Sequence, residues 1–339
     1  MIKVLMLGGT GAIGQSILSV IGGDLEYSIS ITSRIVRKPD FCNVRYICGN
    51  ANDLSFIDQF EDNSFDVLID FMNYRNENLI RNIRKLLSKA SQYIFLSSAR
   101  VYDNSQNSID ESCTLLLNTT DDAEFKSSGT YAVKKAYQEE LVKKYGGDKV
   151  TIIRPYKTYS SDRLQLGEYE IKHWLLRLLN EKPIVINKNM LSKYTSLTDG
   201  IDVAKGIVSL INSEEAFGET FQIVTDESMT WNDILILYVE ELRKVGVEPK
   251  VYLSDNTDPI DILFENGYQM PYDILFDRKF NSRKIASITN ITYQKMGIGL
   301  RKSISEYIKC FEEQSFSQTI YDDVVDKFVA DNNLHVWRC

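Results

Sequence analysis

The stretch VLMLGGTGAIGQSI, residues 4 to 17, decides the fold. An uninterrupted apolar run leads into Gly8, Gly11 and Gly14, and an apolar helical period starts directly behind them. The run reads as a strand buried on both faces. The glycines allow a tight turn, a close approach of backbone N–H groups to a pyrophosphate, and close packing of helix on strand. The helix that opens at Ala12 and Ile13 presents unpaired N–H groups and the positive end of its dipole to an anion. Gly8, Gly11, Ala12, Ile13 and Gly14 are therefore candidate dinucleotide-binding residues.

Outward from this turn, similar β-rich runs recur at SISIT (28–32), VRYI (44–47), FDVLID (65–70), YIFLS (93–97) and VTIIR (150–154). Between them lie helix-period segments, notably NENLIRNIRKLLSKA (76–90) and TYAVKKAYQEELVKKYG (130–146), which reads as an amphipathic helix. Alternating strand and helix predicts an α/β fold with a doubly wound parallel Rossmann sheet and right-handed crossovers. After Pro155 the rhythm changes. Helical patterns at 168–181, 201–216, 230–246 and 300–314 alternate with strand candidates PIVIN (183–187), ETFQIV (219–224) and PKVYL (249–253), with a long polar loop near 254–283. The expected division is a dinucleotide-binding domain over 1–160 with returning segments near 194–225. A smaller, interleaved C-terminal substrate lobe takes 161–193 and 226–315, and the tail 316–339 has no assigned role.

Composition narrows the chemistry. The 339 residues are 43% hydrophobic and 25% charged, with a net charge of −8, which disfavours a nucleic-acid surface. No apolar run approaches a membrane span, and MIKVLMLGG reads better as a first strand than as a leader, so a cytoplasmic location is expected. Five scattered cysteines and two distant histidines suggest neither a disulfide framework nor a metal site.

The second strand ends ITSRIVRK (31–38), with Ser33, Arg34 and Arg37 where a carboxylate would hold a ribose 2′-hydroxyl. An arginine there suits a 2′-phosphate, which favours NADP, with NAD as the alternative. Tyr131 and Lys135 stand at i and i+4, on one helix face. An ammonium beside a phenol stabilises its anion and eases proton exchange with a substrate hydroxyl. Ser98, at the C-terminal end of YIFLSS, can orient the same substrate oxygen, because open α/β sheets bind ligands along that edge.

With these residues in this order, the chain resembles an extended short-chain dehydrogenase/reductase of the NAD-dependent epimerase/dehydratase kind, over roughly residues 2 to 312. LGGTGAIG matches that family's opening turn, CGNAND (48–53) resembles its G-D-x-x-D segment with Asn50 and Asp53, and SSARVY (97–102) matches its serine element. YAVKK carries the tyrosine and lysine, IIRPY (152–156) resembles the strand whose Pro155 meets the nicotinamide end, and SLTDGIDVAKGI (196–207) resembles a returning element. The resemblance implies a nucleotide-linked sugar substrate, catalysis by Ser98, Tyr131 and Lys135, and, by analogy, a homodimer.

Three departures matter. DFMNY (70–74) replaces His-x-Ala-Ala and places Phe71, Met72 and Asn73 at the nicotinamide wall; YKTYSS (156–161) replaces V-Y-G-P; and Ala99 and Arg100 stand where sugar dehydratases carry Asp-Glu. Dehydration is therefore disfavoured. Keto-sugar reduction with Tyr131 as proton donor is preferred, epimerisation with a retained cofactor is the alternative, and a non-catalytic dinucleotide sensor or RNA-binding relative is the reading from another class. Arg100, His173, Lys193 and Arg278 are the substrate-side candidates, with Lys172, Trp174 and Arg283 beside them.

Overall fold

The computed structural model describes residues 1–104, 108–255, 259, 267–311 and 319–338. Seven strands form one sheet: β1 (Ile2–Leu7), β2 (Tyr27–Ser33), β3 (Val44–Cys48), β4 (Phe65–Asp70), β5 (Ala90–Leu96), β6 (Val150–Pro155) and, much later in the chain, β11 (Thr220–Ile223). Their order is β3-β2-β1-β4-β5-β6-β11, and every neighbouring pair is parallel. This is a doubly wound Rossmann sheet. The continuous apolar runs follow from burial on both faces. In β1, Val4 and Met6 enter the core beneath α1 (Ala12–Ile21), while Leu5 and Leu7 enter the opposite one, beneath α3 (Asn76–Ser88). Tyr93 and Phe95 likewise point away from Ile94 and Leu96.

The glycine turn divides three tasks among three residues. Gly8 has φ +68°, and a Cβ there would meet the Met72 sulfur at 2.8 Å. At Gly14 a Cβ would lie 2.1 Å from the Gly9 carbonyl oxygen, so only glycine lets the helix sit this close to the turn. Gly11 faces open space, with nothing within 4 Å of an added Cβ, and it caps α1 without any side-chain hydrogen bond. The first N–H groups of α1 are thus left for an incoming anion.

The short α2 (Leu54–Ile57), α4 (Leu116–Thr119) and α5 (Ala123–Ser127) fill connections, and α6 (Tyr131–Gly146) packs beside α3. The inward face of α6 is not the apolar stripe expected of an amphipathic helix. Alongside Ala132, Val133, Ala136 and Val142 it buries Lys135, Gln138 and Glu139. Each finds a partner, as buried polar groups must; the Gln138 amide, for example, donates to the Tyr74 carbonyl oxygen at 3.0 Å.

Beyond β6 the chain runs through β7 (Lys157–Tyr159), α7 (Ile171–Leu179), β8 (Ile184–Asn187), β9 (Tyr194–Thr195) and β10 (Leu197–Asp199). It then passes α8 (Gly200–Ser209), which covers α1, and after β11 reaches β12 (Met229–Thr230), α9 (Trp231–Lys244) and β13 (Val251–Ser254). Part of the polar loop near 254–283 lies outside the described residues. Its described end contains a helical turn, Met270–Ile274, followed by α10 (Arg283–Ile288) and α11 (Met296–Phe311). A third hydrophobic core, apart from the two faces of the sheet, gathers Trp174, Trp231 and Tyr238.

The described part of the tail, α12 (Ile320–Asp331) and β14 (His335–Val336), belongs to this third core. Tyr321 and Val325 are buried in it, and β14 adds an antiparallel strand to β13. Arg177, fully buried on α7, donates to Asp322 at 2.7 Å and to Asp326 at 2.5 Å. Among the described residues, no helix is long and apolar enough to cross a membrane.

Candidate active site

Two hollows open at the C-terminal edge of the sheet and share Ser98, Tyr131, Tyr156 and Arg163 in their walls. The first adds Ile13, Phe71, Asn73, Lys135 and Pro155. Residues scattered from the glycine turn to β6 thus meet in one place, because parallel strands all end on this edge. The second adds Arg100, Lys157, Gln165, Glu168 and Glu170.

Ser98 lies two residues beyond β5 and caps a 3₁₀ turn, its hydroxyl oxygen accepting from the Arg100 N–H at 3.2 Å. Tyr131 stands at the first turn of α6. It keeps 36% of its surface open at the mouth of the hollows, yet its surroundings are close enough that burial pushes the phenol above its ordinary pKa. Arg100, Arg163 and the Ser98 hydroxyl oppose that rise. The Arg100 guanidinium carbon lies 5.5 Å from the centre of the Tyr131 ring.

Lys135 shares the helix face with Tyr131, but its ammonium is turned into the sheet edge. It donates to the Leu96 carbonyl oxygen at 2.7 Å and to that of Met72 at 3.3 Å, 4.6 Å from the Phe95 ring centre and 5.9 Å from that of Tyr131. The cations that counter the burial of the phenol are therefore two arginines, one of them absent from the candidates. Burial lowers the Lys135 ammonium to about 8, while Asp70 and Glu139 act to raise it. Asp70, fully buried at the end of β4, accepts from the hydroxyls of Tyr93 at 2.5 Å and Tyr74 at 2.9 Å and from the Met72 N–H at 2.9 Å.

At the C-terminal end of β2, Ser33 is buried and its oxygen accepts from Ile35 N–H and Arg37 Nε, each at 3.3 Å. Arg34 is exposed beside it. Asn50 and Asp53 are exposed behind β3, and the Asn50 side chain accepts from the Asn52 N–H at 3.2 Å. Met72 sits over Gly8, next to Phe71 and Asn73.

The substrate-side candidates separate. Arg100 lines the second hollow. Arg278 does not reach it: fully buried, it donates to Asp273 and to the carbonyl oxygens of Tyr102, Asp103 and Tyr272, so its charge is consumed inside the protein. His173 is half-buried against the Tyr321 ring, 4.6 Å between centres, and Trp174 is core, stacked on Tyr238. Lys193 sits in the turn before β9, Lys172 is exposed on α7, and Arg283 borders a separate surface depression with Glu111 and Lys284. None of these enters either hollow. The cationic wall is made by Arg100 together with Lys157 and Arg163, two residues not among the candidates. Neither carried a local signal, since Lys157 stands between Tyr156 and Thr158 and Arg163 follows the polar run Ser160, Ser161 and Asp162.

A family model described as the NAD dependent epimerase/dehydratase family matches residues 4–223. The chain belongs to that family. It is accordingly an enzyme of a family whose members use NAD. Its structure is similar to that of dTDP-glucose 4,6-dehydratase from Bacillus anthracis str. Ames in complex with NAD, with a TM-score of 0.68 at 15% identity over 92% of this chain and 98% of the other. It is also similar to UDP-N-acetylglucosamine 4-epimerase from Methanobrevibacter ruminantium M1 in complex with UDP-N-acetylmuramic acid, with a TM-score of 0.67 at 18% identity over 92% and 99%. UDP-glucuronic acid 4-epimerase from Bacillus cereus in complex with NAD gives 0.64 at 16% identity over 91% and 99%. No curated protein matches the chain in sequence.

Proposed function

We propose that the protein reduces a keto group on a nucleotide-linked sugar, using NADPH, with Tyr131 as the proton donor. The observation that carries this reading is that Tyr131 and Ser98 stand together in the walls of both hollows at the C-terminal edge of the sheet. Burial keeps Tyr131 above its ordinary pKa, so at neutral pH it holds a proton ready for a carbonyl oxygen becoming a hydroxyl. Ser98 positions that oxygen, and Arg100 and Arg163 stabilise the phenolate left behind. Asp-Glu is absent after the serine, where Ala99 and Arg100 stand, so no acid–base pair is placed there for removal of water.

The residues present fit a dinucleotide. Gly11 leaves an open cradle at an uncapped helix N-terminus, and the end of β2 offers Ser33, Arg34 and Arg37 with no carboxylate to repel a 2′-phosphate. Bound there, the nicotinamide supplies the hydride. Lys135 would hold its ribose. Epimerisation of the sugar is the second reading, favoured by the two similar epimerase structures. Mixing the protein with NADPH and a pool of nucleotide-linked keto-sugars, and separately with NADP⁺ or NAD⁺ and the corresponding nucleotide-linked alcohols, separates the two. Loss of NADPH absorbance in step with alcohol formation supports reduction, and isomer formation without net loss supports epimerisation. Neither product would sink both. Equal use of NADPH and NADH by the wild type would overturn the cofactor assignment, and a NADPH preference that survives Arg34→Ala combined with Arg37→Ala would remove the 2′-phosphate role from those two arginines.

A pH limb is expected as well. Lys135 is charged below about 8 and loses its charge as pH rises through that value, so kcat/KM falls on the alkaline side. Lys157 titrates in the same region. A pH profile of Lys135→Arg identifies the group: the limb moves to higher pH if Lys135 is responsible, and stays in place if it is not.

A further inference from the structure

The second hollow holds a charge pattern that the proton transfer does not use. Asp273, on the Met270–Ile274 turn, is 1% exposed and faces three cations: Arg278 Nε at 3.2 Å, Arg100 Nε at 3.3 Å and Lys157 Nζ at 3.7 Å. It also accepts from the Tyr156 hydroxyl at 2.8 Å. Burial acts to raise its pKa, but Lys157, Arg100 and Arg278 together hold it below the ordinary carboxylate value. One carboxylate balances one cation, and Arg278, at its shortest ion-pair distance and walled in by carbonyl oxygens, is that cation. Arg100 and Lys157, which line the hollow, are left in excess.

Across the hollow stand Arg163, Glu168 and Glu170, and Glu170 is engaged by the Gln165 amide at 2.6 Å and by Arg163 at 3.7 Å. The wall therefore carries three cations, Arg100, Lys157 and Arg163, against two carboxylates, Glu168 and Glu170, which leaves one positive charge. The Lys157 side chain is 4% exposed, and its nitrogen lies within ion-pair range of Asp273 but beyond a hydrogen bond. Arg100 Nε is buried without a hydrogen-bond partner. One carboxylate does not fully compensate cations held this way, so the wall favours a further anion.

Resting on the reading that the substrate is a nucleotide-linked sugar, we infer that the sugar ring itself bears a carboxylate, received by Arg100 and Lys157. The missing charge is a single one, which suits a carboxylate. The hollow opens directly on Tyr131 and Ser98, so what fills it belongs to the reacting ring rather than to a distant part of the nucleotide. Phosphates of the diphosphate are the competing source of negative charge, and the two are separable.

The test is calorimetric titration of the protein saturated with NADP⁺, using nucleoside diphosphate-glucoses and the corresponding glucuronates in the uridine and thymidine series. The glucuronate is expected to bind at least about ten-fold tighter, roughly 1.4 kcal/mol. Lys157→Met and Arg100→Met should erase that preference without altering NADP⁺ affinity, and Lys157→Arg should keep it. Wild-type protein gives an independent readout: a carboxylate arriving beside Lys157 raises its pKa, so near pH 8 the glucuronate is bound with proton uptake and the glucose is not. Equal affinity for both sugars, a preference that survives Lys157→Met, or equal weakening of both sugars in the variants, which marks diphosphate recognition, overturns the inference. In each of these cases the nucleotide-sugar reading stands. If neither sugar binds in either series, that reading falls and takes the inference with it.

Discussion

Tyr131→Phe is expected to lower kcat by about 10²- to 10⁴-fold, the usual worth of one positioned acid or base, equivalent to about 3 to 5 kcal/mol in the barrier. Cofactor affinity should stay within a few-fold, because the phenol oxygen is the one atom removed. The fold should be equally unaffected. Tyr131 is partly open to solvent, and its ring still faces the Arg100 guanidinium after the change. The Ser98 oxygen also keeps the Arg100 N–H as its donor. Ser98 cannot replace the missing acid, since a free hydroxyl with no base beside it is a far weaker proton donor than a phenol flanked by two guanidinium groups. The measurements are single-turnover rate, NADPH titration and melting temperature on the same preparation. A variant that keeps full turnover with an intact cofactor site would remove the proton-donor role from Tyr131.

Much of the frame was legible because its causes are local. A strand that is apolar on both faces, three glycines at fixed spacing, and a serine at the end of a later strand all carry their meaning within a few residues. The parallel sheet that follows from them brings Ile13, Phe71, Ser98, Tyr131 and Pro155 to one edge. What was not legible depends on distance and reach. Spacing puts Tyr131 and Lys135 on one face of α6, but it does not reveal that the longer side chain finds two carbonyl oxygens beneath that edge. Tyr156 and Asp273 bond across 117 positions, and nothing near either residue signals the other. Arg278 and Arg100 look alike in sequence as loop cations. The difference is that the carbonyls of Tyr102, Asp103 and Tyr272 surround the first, while the second faces a cavity. His173 is a substrate-side candidate only through the family's placement of the substrate lobe, yet it packs on a tyrosine of the tail. Asp70 ended an apolar strand in plain view, and an acid at such a place was signal enough to ask what buries it.

Glu139→Ala should cost about 3 to 5 kcal/mol of stability, more than any surface ion pair in the molecule could. Glu139 and Arg154 form a two-pronged pair, Nε to Oε1 at 2.9 Å and Nη2 to Oε2 at 2.5 Å, with side chains only 3% and 4% exposed. The guanidinium carbon lies over the Tyr102 ring, 4.7 Å from its centre. Removing the carboxylate strands a charge that cannot escape by deprotonation, since an arginine stays protonated at any pH the fold survives. Removing both members relieves it: Glu139→Leu with Arg154→Met should recover a large part of the loss, because two apolar side chains of similar volume need no counter-charge. Denaturant unfolding of the wild type, both single variants and the double variant measures the coupling directly. The pair also joins the helix that carries Tyr131 and Lys135 to β6, whose last residue, Pro155, lines the first hollow. The double variant should therefore regain stability before it regains turnover, since two apolar groups hold α6 to the sheet without fixing its angle as a forked ion pair does. If stability and turnover return together, the ion pair acts only as a brace, and packing alone sets the position of the phenol.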